Sequence, residues 1–249
     1  MAHISAKIKA NSLGFSTPIE IIFPQNASPK KVLYLLHGMG DDSSTWIRNT
    51  RIESYATKHN YVVIMPEVQR SFYTDMVYGS SYFTYITQEL PQICEALFNI
   101  KHERATTFVA GLSMGGYGAL KCGLSRPDFY EACASFSGAV DPPALLPRVQ
   151  QDSANLKNLT AILGPDFHFP DDANLFRLSE KVAALPPQEK PSVLVTCGDA
   201  DFLLEDNRRF DTHMKNQDIP YKYMEWSGEH TWDFWEECLP IAFNFFETR

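Results

Sequence analysis

Positive charge is scarce in this sequence. Its 22 lysines and arginines face 30 aspartates and glutamates, for a formal net charge of −8. So acidic a chain makes a poor general polyanion binder, which argues against nucleic acid and anionic membranes as partners. Long apolar runs are missing as well. The longest, such as Val32–Leu36 and Tyr61–Met65, fall far short of the ~20 residues that a spanning helix needs. The opening residues MAHISAKIKANSLG hold no apolar stretch of the kind a secretory signal requires. Five cysteines (Cys94, Cys122, Cys133, Cys197 and Cys238) include no CxxC pair, and their odd number argues against a fully paired disulfide framework. A reduced, cytoplasmic setting is therefore expected. Metal signatures are also lacking: there is no HExxH, and His230-x-x-Asp233 is a single weak pair. No metal and no cofactor are expected.

What is present suits one globular domain over residues 1–249, with 44% apolar and 13% aromatic residues and no repeat or low-complexity tract. His3–Lys9 alternates apolar and polar positions, and Pro18–Phe23 follows a turn-like NSLG. These predict an antiparallel hairpin at one sheet edge. Compact apolar runs then recur at Lys31–Leu36, Tyr61–Met65, Thr106–Ala110, Ala132–Phe136, Ser192–Cys197 and Tyr221–Trp226. Such runs fit a mostly parallel sheet covered on both faces. Helical spacing fills the gaps at Thr45–Lys58, Tyr82–Phe98 (with a kink predicted at Pro91), Met114–Leu124, Leu203–Lys215 and Trp232–Phe246. The expected fold is α/β, eight strands with helices on both faces. The proline-rich stretch 139–190, between the sixth and seventh strands, reads as a cap over a site or an elaborated crossover, with the cap preferred.

Gly111-Leu112-Ser113-Met114-Gly115 is a G-x-S-x-G pattern. By itself it is weak, but it follows the strand TTFVA and opens a helix of small residues. On such a strand–turn–helix a serine is strained and exposed as a nucleophile, and the flanking glycines avoid collisions across the bend. Neither a Walker lysine nor GxGxxG accompanies this strand, which disfavours a phosphate-cradling loop.

A serine hydroxyl needs a base, and on this architecture the partners follow in the order Ser, acid, His. That leaves His168, His213 and His230. His213 falls within a helical run and His168 in the proline-rich stretch, whereas His230 sits just beyond the last strand, at the same sheet edge as Ser113. The acid belongs after the preceding strand, in Gly198-Asp199-Ala200-Asp201. Either aspartate is close enough. Asp201 is favoured because it has the longer loop in which to turn, and Asp199 reads as a turn-former. For the oxyanion, the expected donors are the N–H groups of Met114 and of Met39, in His37-Gly38-Met39-Gly40. Trp46, Phe72, Tyr73, Trp226 and Trp232 lie near these loops, either as an apolar wall to the site or as core.

Six blocks in order, HGMGDDSSTW, FYTDMVYG, Glu89-Leu90-Pro91, AGLSMGGYGAL, CGDADFLLE and GEHTWDFWE, resemble the esterase D superfamily of α/β-hydrolases. Within it, the chain is most similar to small bacterial tributyrin esterases. The resemblance implies an α/β-hydrolase fold with Ser113, Asp201 and His230 as catalytic residues and Met39 and Met114 at the oxyanion hole. It strengthens Asp201 over Asp199. S-formylglutathione hydrolases of this superfamily carry an S-G-L-T-C-like segment where this chain has His37-Gly38-Met39, which disfavours that activity. The leading expectation is a serine carboxylesterase for acetyl to butyryl esters, with Trp46, Tyr73 and Trp232 as substrate-binding residues. Its rivals are an acetylxylan or feruloyl esterase acting on acylated carbohydrate and, in another class, a silent hydrolase-fold binding protein. A small-molecule ester is the expected partner, and self-association into a homo-oligomer is compatible with the chain.

Overall fold

The computed structural model describes residues 1–25, 31–149 and 153–249. Eight strands form a single sheet: β1 (Ala2–Ala10), β2 (Phe15–Phe23), β3 (Lys31–Leu36), β4 (Tyr61–Pro66), β5 (Thr107–Leu112), β6 (Ala132–Phe136), β7 (Ser192–Gly198) and β8 (Tyr221–Trp226). Their order across the sheet is β1-β2-β4-β3-β5-β6-β7-β8. β1 and β2 pair as an antiparallel hairpin, β2 joins β4 antiparallel, and all other pairings are parallel. The central strands β4, β5 and β6 are buried along their whole length, as strands covered on both faces must be. At the two edges exposed lysines, Lys7 and Lys9 on β1 and Lys222 on β8, oppose further strand pairing.

Helices cover both faces. Helices α1 (Thr45–Asn49), α2 (Ile52–His59) and α10 (Trp232–Glu247) pack on one side. α3 (Tyr82–Thr84), α4 (Leu90–Phe98) and α5 (Met114–Ser125) pack on the other. The helix expected over Thr45–Lys58 is broken, because Thr50 takes an extended conformation (φ −138°, ψ 170°) between α1 and α2. Between α3 and α4 the helix widens into a π turn at Tyr85–Glu89. Pro91 explains it: with no N–H it cannot bond the Thr87 carbonyl, and Arg126 Nη1 donates to that oxygen instead, at 2.9 Å.

The 139–190 stretch divides in two, with residues 150–152 outside the described set. Its first part holds α6 (Pro142–Val149) and α7 (Ser153–Leu163), which lie over the carboxyl edge of the sheet. α7 is tied to the loop after β4: Val77 and Tyr78 N–H donate to the Ile162 and Ala161 carbonyls at 3.0 and 2.9 Å. α6 is held by Arg148, which pairs with the buried Asp206 of α9 (Leu204–Met214). The second part, α8 (Leu175–Ala183), is an ordinary crossover helix. It buries Leu175, Leu178 and Val182 in the same core as α5.

Candidate active site

Ser113 stands between β5 and α5 with φ 52° and ψ −117°, a backbone state that costs a non-glycine residue about 1–3 kcal/mol. The surroundings enforce it. Its N–H donates to the Phe136 carbonyl at 2.9 Å, and its carbonyl accepts from Tyr117 and Ala139 N–H at 3.1 Å each. The flanking glycines are sterically required. A Cβ on Gly111 would lie 2.4 Å from the Gly115 carbonyl oxygen, and one on Gly115 would lie 2.4 Å from that of Leu36.

His230, on the loop between β8 and α10, places Nε2 3.0 Å from Ser113 Oγ and Nδ1 2.8 Å from Asp201 Oδ2. An ionised carboxylate only accepts, so Nδ1 carries the proton towards Asp201 and Nε2 is left to accept from the serine hydroxyl. Asp201 is buried. Burial opposes its ionisation, but the hydrogen bond and charge of His230 and the Leu203 N–H (2.8 Å to Oδ1) outweigh burial and hold the carboxyl below its ordinary pKa. The His230 ring is flanked by Phe202 at 4.6 Å and by Trp235, edge-on at 4.9 Å. Asp199 stays away from the imidazole. It accepts from the Gly228 N–H at 3.1 Å and so braces the two loops against each other.

The other histidines that fit the chain order lie elsewhere. His213 is on α9, bonded to Ser179 at 2.9 Å, and His168 lines neither cavity described below. His37 is a buried strut: its Nε2 accepts from Val68 N–H at 3.1 Å, leaving Nδ1 to donate to the Gly38 carbonyl at 2.8 Å.

Neither the Met39 nor the Met114 N–H donates to a protein acceptor among the described residues. Both stand beside Ser113, and Met39 is 41% exposed. The end of β3 that leads into Met39 is fixed by two residues expected to touch substrate. Trp46 and Tyr73 are fully buried and line neither cavity beside Ser113. Trp46 Nε1 donates to the Leu36 carbonyl at 3.1 Å, and the Tyr73 hydroxyl donates to that of His37 at 2.9 Å. Each satisfies its one polar atom on the strand end, so the rings are core. Phe72 and Tyr73 both adopt positive φ, 51° and 49°, and only Phe72 faces the site.

Two cavities meet at Ser113. One, of about 110 Å³, is mostly apolar and is lined by Met39, Phe72, Met114, Leu145, Leu159 and Phe202 among others. The second, of about 410 Å³, is wider and more open, and is lined by Gly38, Met39, Asp41, Leu112, His230, Thr231, Trp232 and Trp235. Trp232, unlike Trp46 and Tyr73, is at the site. The α6 and α7 residues Leu145, Asn158 and Leu159 are wall residues that motif reading missed. Leu159 has a sequence signal in its helical spacing with Leu156 and Leu163; Leu145 and Asn158 have none. No cluster of three or more metal-ligating side chains occurs among the described residues, and no helix there is long and apolar enough to cross a membrane.

An open, mostly parallel eight-stranded sheet, with a strained serine at a strand-to-helix turn, defines an α/β-hydrolase. The sequence profile of the family described as "Putative esterase" matches residues 10–246, and the chain belongs to that family. An acetyl esterase of Caldicellulosiruptor saccharolyticus is 30% identical over 225 residues, covering 86% of this chain and 82% of that one. The fluorophosphonate-binding serine hydrolase F of Staphylococcus aureus, in a substrate-bound structure, superposes with a TM-score of 0.87 at 30% identity over 98% of both chains. An S-formylglutathione hydrolase of the same organism gives a TM-score of 0.85, again at 30% identity over 98% of both. The chain is a carboxylic ester hydrolase of the serine type, and its substrates are small-molecule esters.

Proposed function

We propose that Ser113, His230 and Asp201 hydrolyse short-chain acyl esters through an acyl-enzyme. The observation that carries this reading is the continuous hydrogen-bonded chain from Ser113 Oγ through His230 to Asp201. Ser113 Oγ attacks the ester carbonyl while His230 Nε2 takes its proton, and Asp201 stabilises the imidazolium that forms. The free N–H groups of Met39 and Met114 receive the oxyanion; a preorganised donor of this kind contributes about 3 kcal/mol or more. His230 then returns the proton to the departing alcohol oxygen, and water, activated in the same way, releases the acid.

The leaving oxygen must come within reach of His230 Nε2, so the alcohol occupies the open cleft that His230 lines and the acyl group occupies the smaller, mostly apolar cavity. Apolar cavities of roughly 150 Å³ hold a six-carbon ring. One of about 110 Å³ suits an acyl chain of a few carbons, acetyl to butyryl. In this reading α6 and α7 act as a cap on the acyl side, within a single domain spanning residues 1–249. Five buried free cysteines favour a cytoplasmic setting.

The similarity to an S-formylglutathione hydrolase supports a second reading, a thioester substrate with the same triad and a small acyl group. Hydrolysis of p-nitrophenyl esters from acetate to decanoate, with Ser113→Ala as control, tests the first. A Ser113-dependent maximum at two to four carbons is expected. A maximum at eight or ten carbons, or activity that survives in Ser113→Ala, rejects it.

A further inference from the structure

The open cleft beside His230 contains a single carboxylate, Asp41, and no lysine or arginine among the residues that line it. Asp41 follows the Met39 loop directly. Its Oδ2 accepts from the Gly38 N–H at 3.2 Å. Arg48, the cation on the adjoining helix, is paired with Asp42 instead, at 3.2 Å. A Cβ placed on Gly38 would lie 2.9 Å from Asp41 Oδ2 and 3.7 Å from Ser113 Cβ. The carboxylate oxygen therefore lies at most 6.6 Å from Ser113 Cβ, in the cleft assigned to the leaving alcohol. Burial raises its pKa, opposed by His37 and by the Gly38 N–H, with Asp42 adding to the rise and Arg48 opposing it. A half-buried carboxylate that forms no ion pair among the described residues gains most from a cation brought to it. Trp232 and Trp235 line the same cleft, and indole faces attract ammonium groups.

We propose that Asp41 is a specificity-determining residue that selects the charge of the leaving alcohol, favouring cationic alcohols such as quaternary or protonated amino alcohols and disfavouring anionic ones. This rests on the reading that Ser113 and His230 cleave esters with the alcohol in the open cleft. The acidic chain as a whole, at −8, steers ligands in the same sense. Thiols and alcohols that carry carboxylates would meet Asp41 as a like charge, which weakens the glutathione-thioester reading on physical grounds independent of motif comparison.

The test uses three acetate esters of similar size: acetylcholine, its neutral isostere 3,3-dimethylbutyl acetate, and 3-acetoxypropionate. Their kcat/KM values are compared at pH 8 and low salt in the wild type and in Asp41→Asn, whose amide oxygen can still accept from Gly38. We expect the wild type to prefer acetylcholine over 3-acetoxypropionate by about tenfold or more, the size of effect a unit charge exerts at this range. Asp41→Asn should shrink the preference to under about threefold. Sodium chloride at 0.5 M should compress the wild-type ratio in the same direction, a reading that does not depend on the variant folding. A wild-type ratio near one, or a ratio unchanged by Asp41→Asn and by salt, overturns the proposal while the neutral ester still reports an active esterase. If the neutral ester shows no Ser113-dependent turnover, the esterase reading fails first and the role of Asp41 falls with it.

Discussion

Gly198 lies against Gly228 so closely that a Cβ on the first would sit 2.3 Å from the carbonyl oxygen of the second. The loop that carries Asp201 and the loop that carries His230 are thus in backbone contact. Two further bonds lock them, Ala200 N–H to the Gly228 carbonyl at 2.9 Å and Gly228 N–H to Asp199 Oδ1 at 3.1 Å. The two aspartates of Gly198-Asp199-Ala200-Asp201 consequently do different work, one bracing the loops and the other orienting the imidazole.

That division is measurable. Asp201→Asn should lower kcat by about four orders of magnitude, since an amide holds the wrong tautomer of His230. Asp199→Ala should cost about 1 kcal/mol of stability, one hydrogen bond, and leave kcat within about tenfold. Steady-state kinetics beside urea denaturation of both variants checks it. Equal losses of kcat would contradict the assignment.

The serine turn tolerates no added bulk. In Gly115→Ala the new methyl would lie 2.4 and 2.6 Å from the Leu36 and His37 carbonyl oxygens, and neither backbone atom can swing away. Destabilisation of about 2–3 kcal/mol or more is expected, read as a drop in the denaturation midpoint. A variant of unchanged stability would mean that the contact between α5 and the end of β3 is looser than described.

The cavity proposed for the acyl group is bounded on one side by α7, so Leu159→Ala should enlarge it and move the p-nitrophenyl ester optimum to longer chains. Because Leu159 is 9% exposed, some stability is lost too, about 2 kcal/mol at the low end for a buried leucine. The ratio of octanoate to butyrate turnover, taken on folded enzyme, decides. No change would place the acyl chain elsewhere.

Acid stability should depend on His102, which bonds the Tyr34 hydroxyl at 2.8 Å and lies against Phe129. Burial pushes its pKa down to about 4, whereas in the unfolded chain it is about 6.5. Between those values the unfolded chain binds a proton that the fold refuses. The stability is therefore full above about pH 6.5 and is lost as pH falls towards 4. With solvent screening discounted, the contribution is about 2 kcal/mol. Urea midpoints at pH 7 and 4.5 should lie closer together in His102→Gln than in the wild type, and an identical gap in both would contradict this.

Most of the sheet was readable because buried parallel strands leave continuous apolar runs. β3, β6 and β8 begin and end where their runs do. The hairpin was underestimated, with β2 starting at Phe15 rather than Pro18. Helix interruptions were harder to read. The disturbance expected at Pro91 is present, as a π turn just before it, whereas the break at Thr50 has no such local signal: the next residue, Arg51, is held by the distant Glu236, its N–H donating to Oε2 at 3.1 Å. Ser113, His230 and Asp201, the proposed triad, stand out in the sequence because that chemistry fixes residue type and order along the chain, and the fold brings them within hydrogen-bond distance of one another. Trp46 and Tyr73 were misplaced as wall residues because an aromatic beside a site loop looks alike in sequence whether it faces the cavity or the core. Leu145 and Leu159 were hidden for the same reason: their apolar side chains face a cavity that exists only once α6 and α7 cross the sheet edge.

The most direct test is intact-mass and peptide mapping after reaction with a fluorophosphonate, carried out on the wild type, Ser113→Ala and His230→Ala. We expect one phosphonyl group per chain, on Ser113, with none on Ser113→Ala and labelling of His230→Ala slowed by at least about a hundredfold, the scale of a lost general base. Folded protein that takes up no probe, or takes it up equally in Ser113→Ala, would contradict the assignment of Ser113 as the nucleophile.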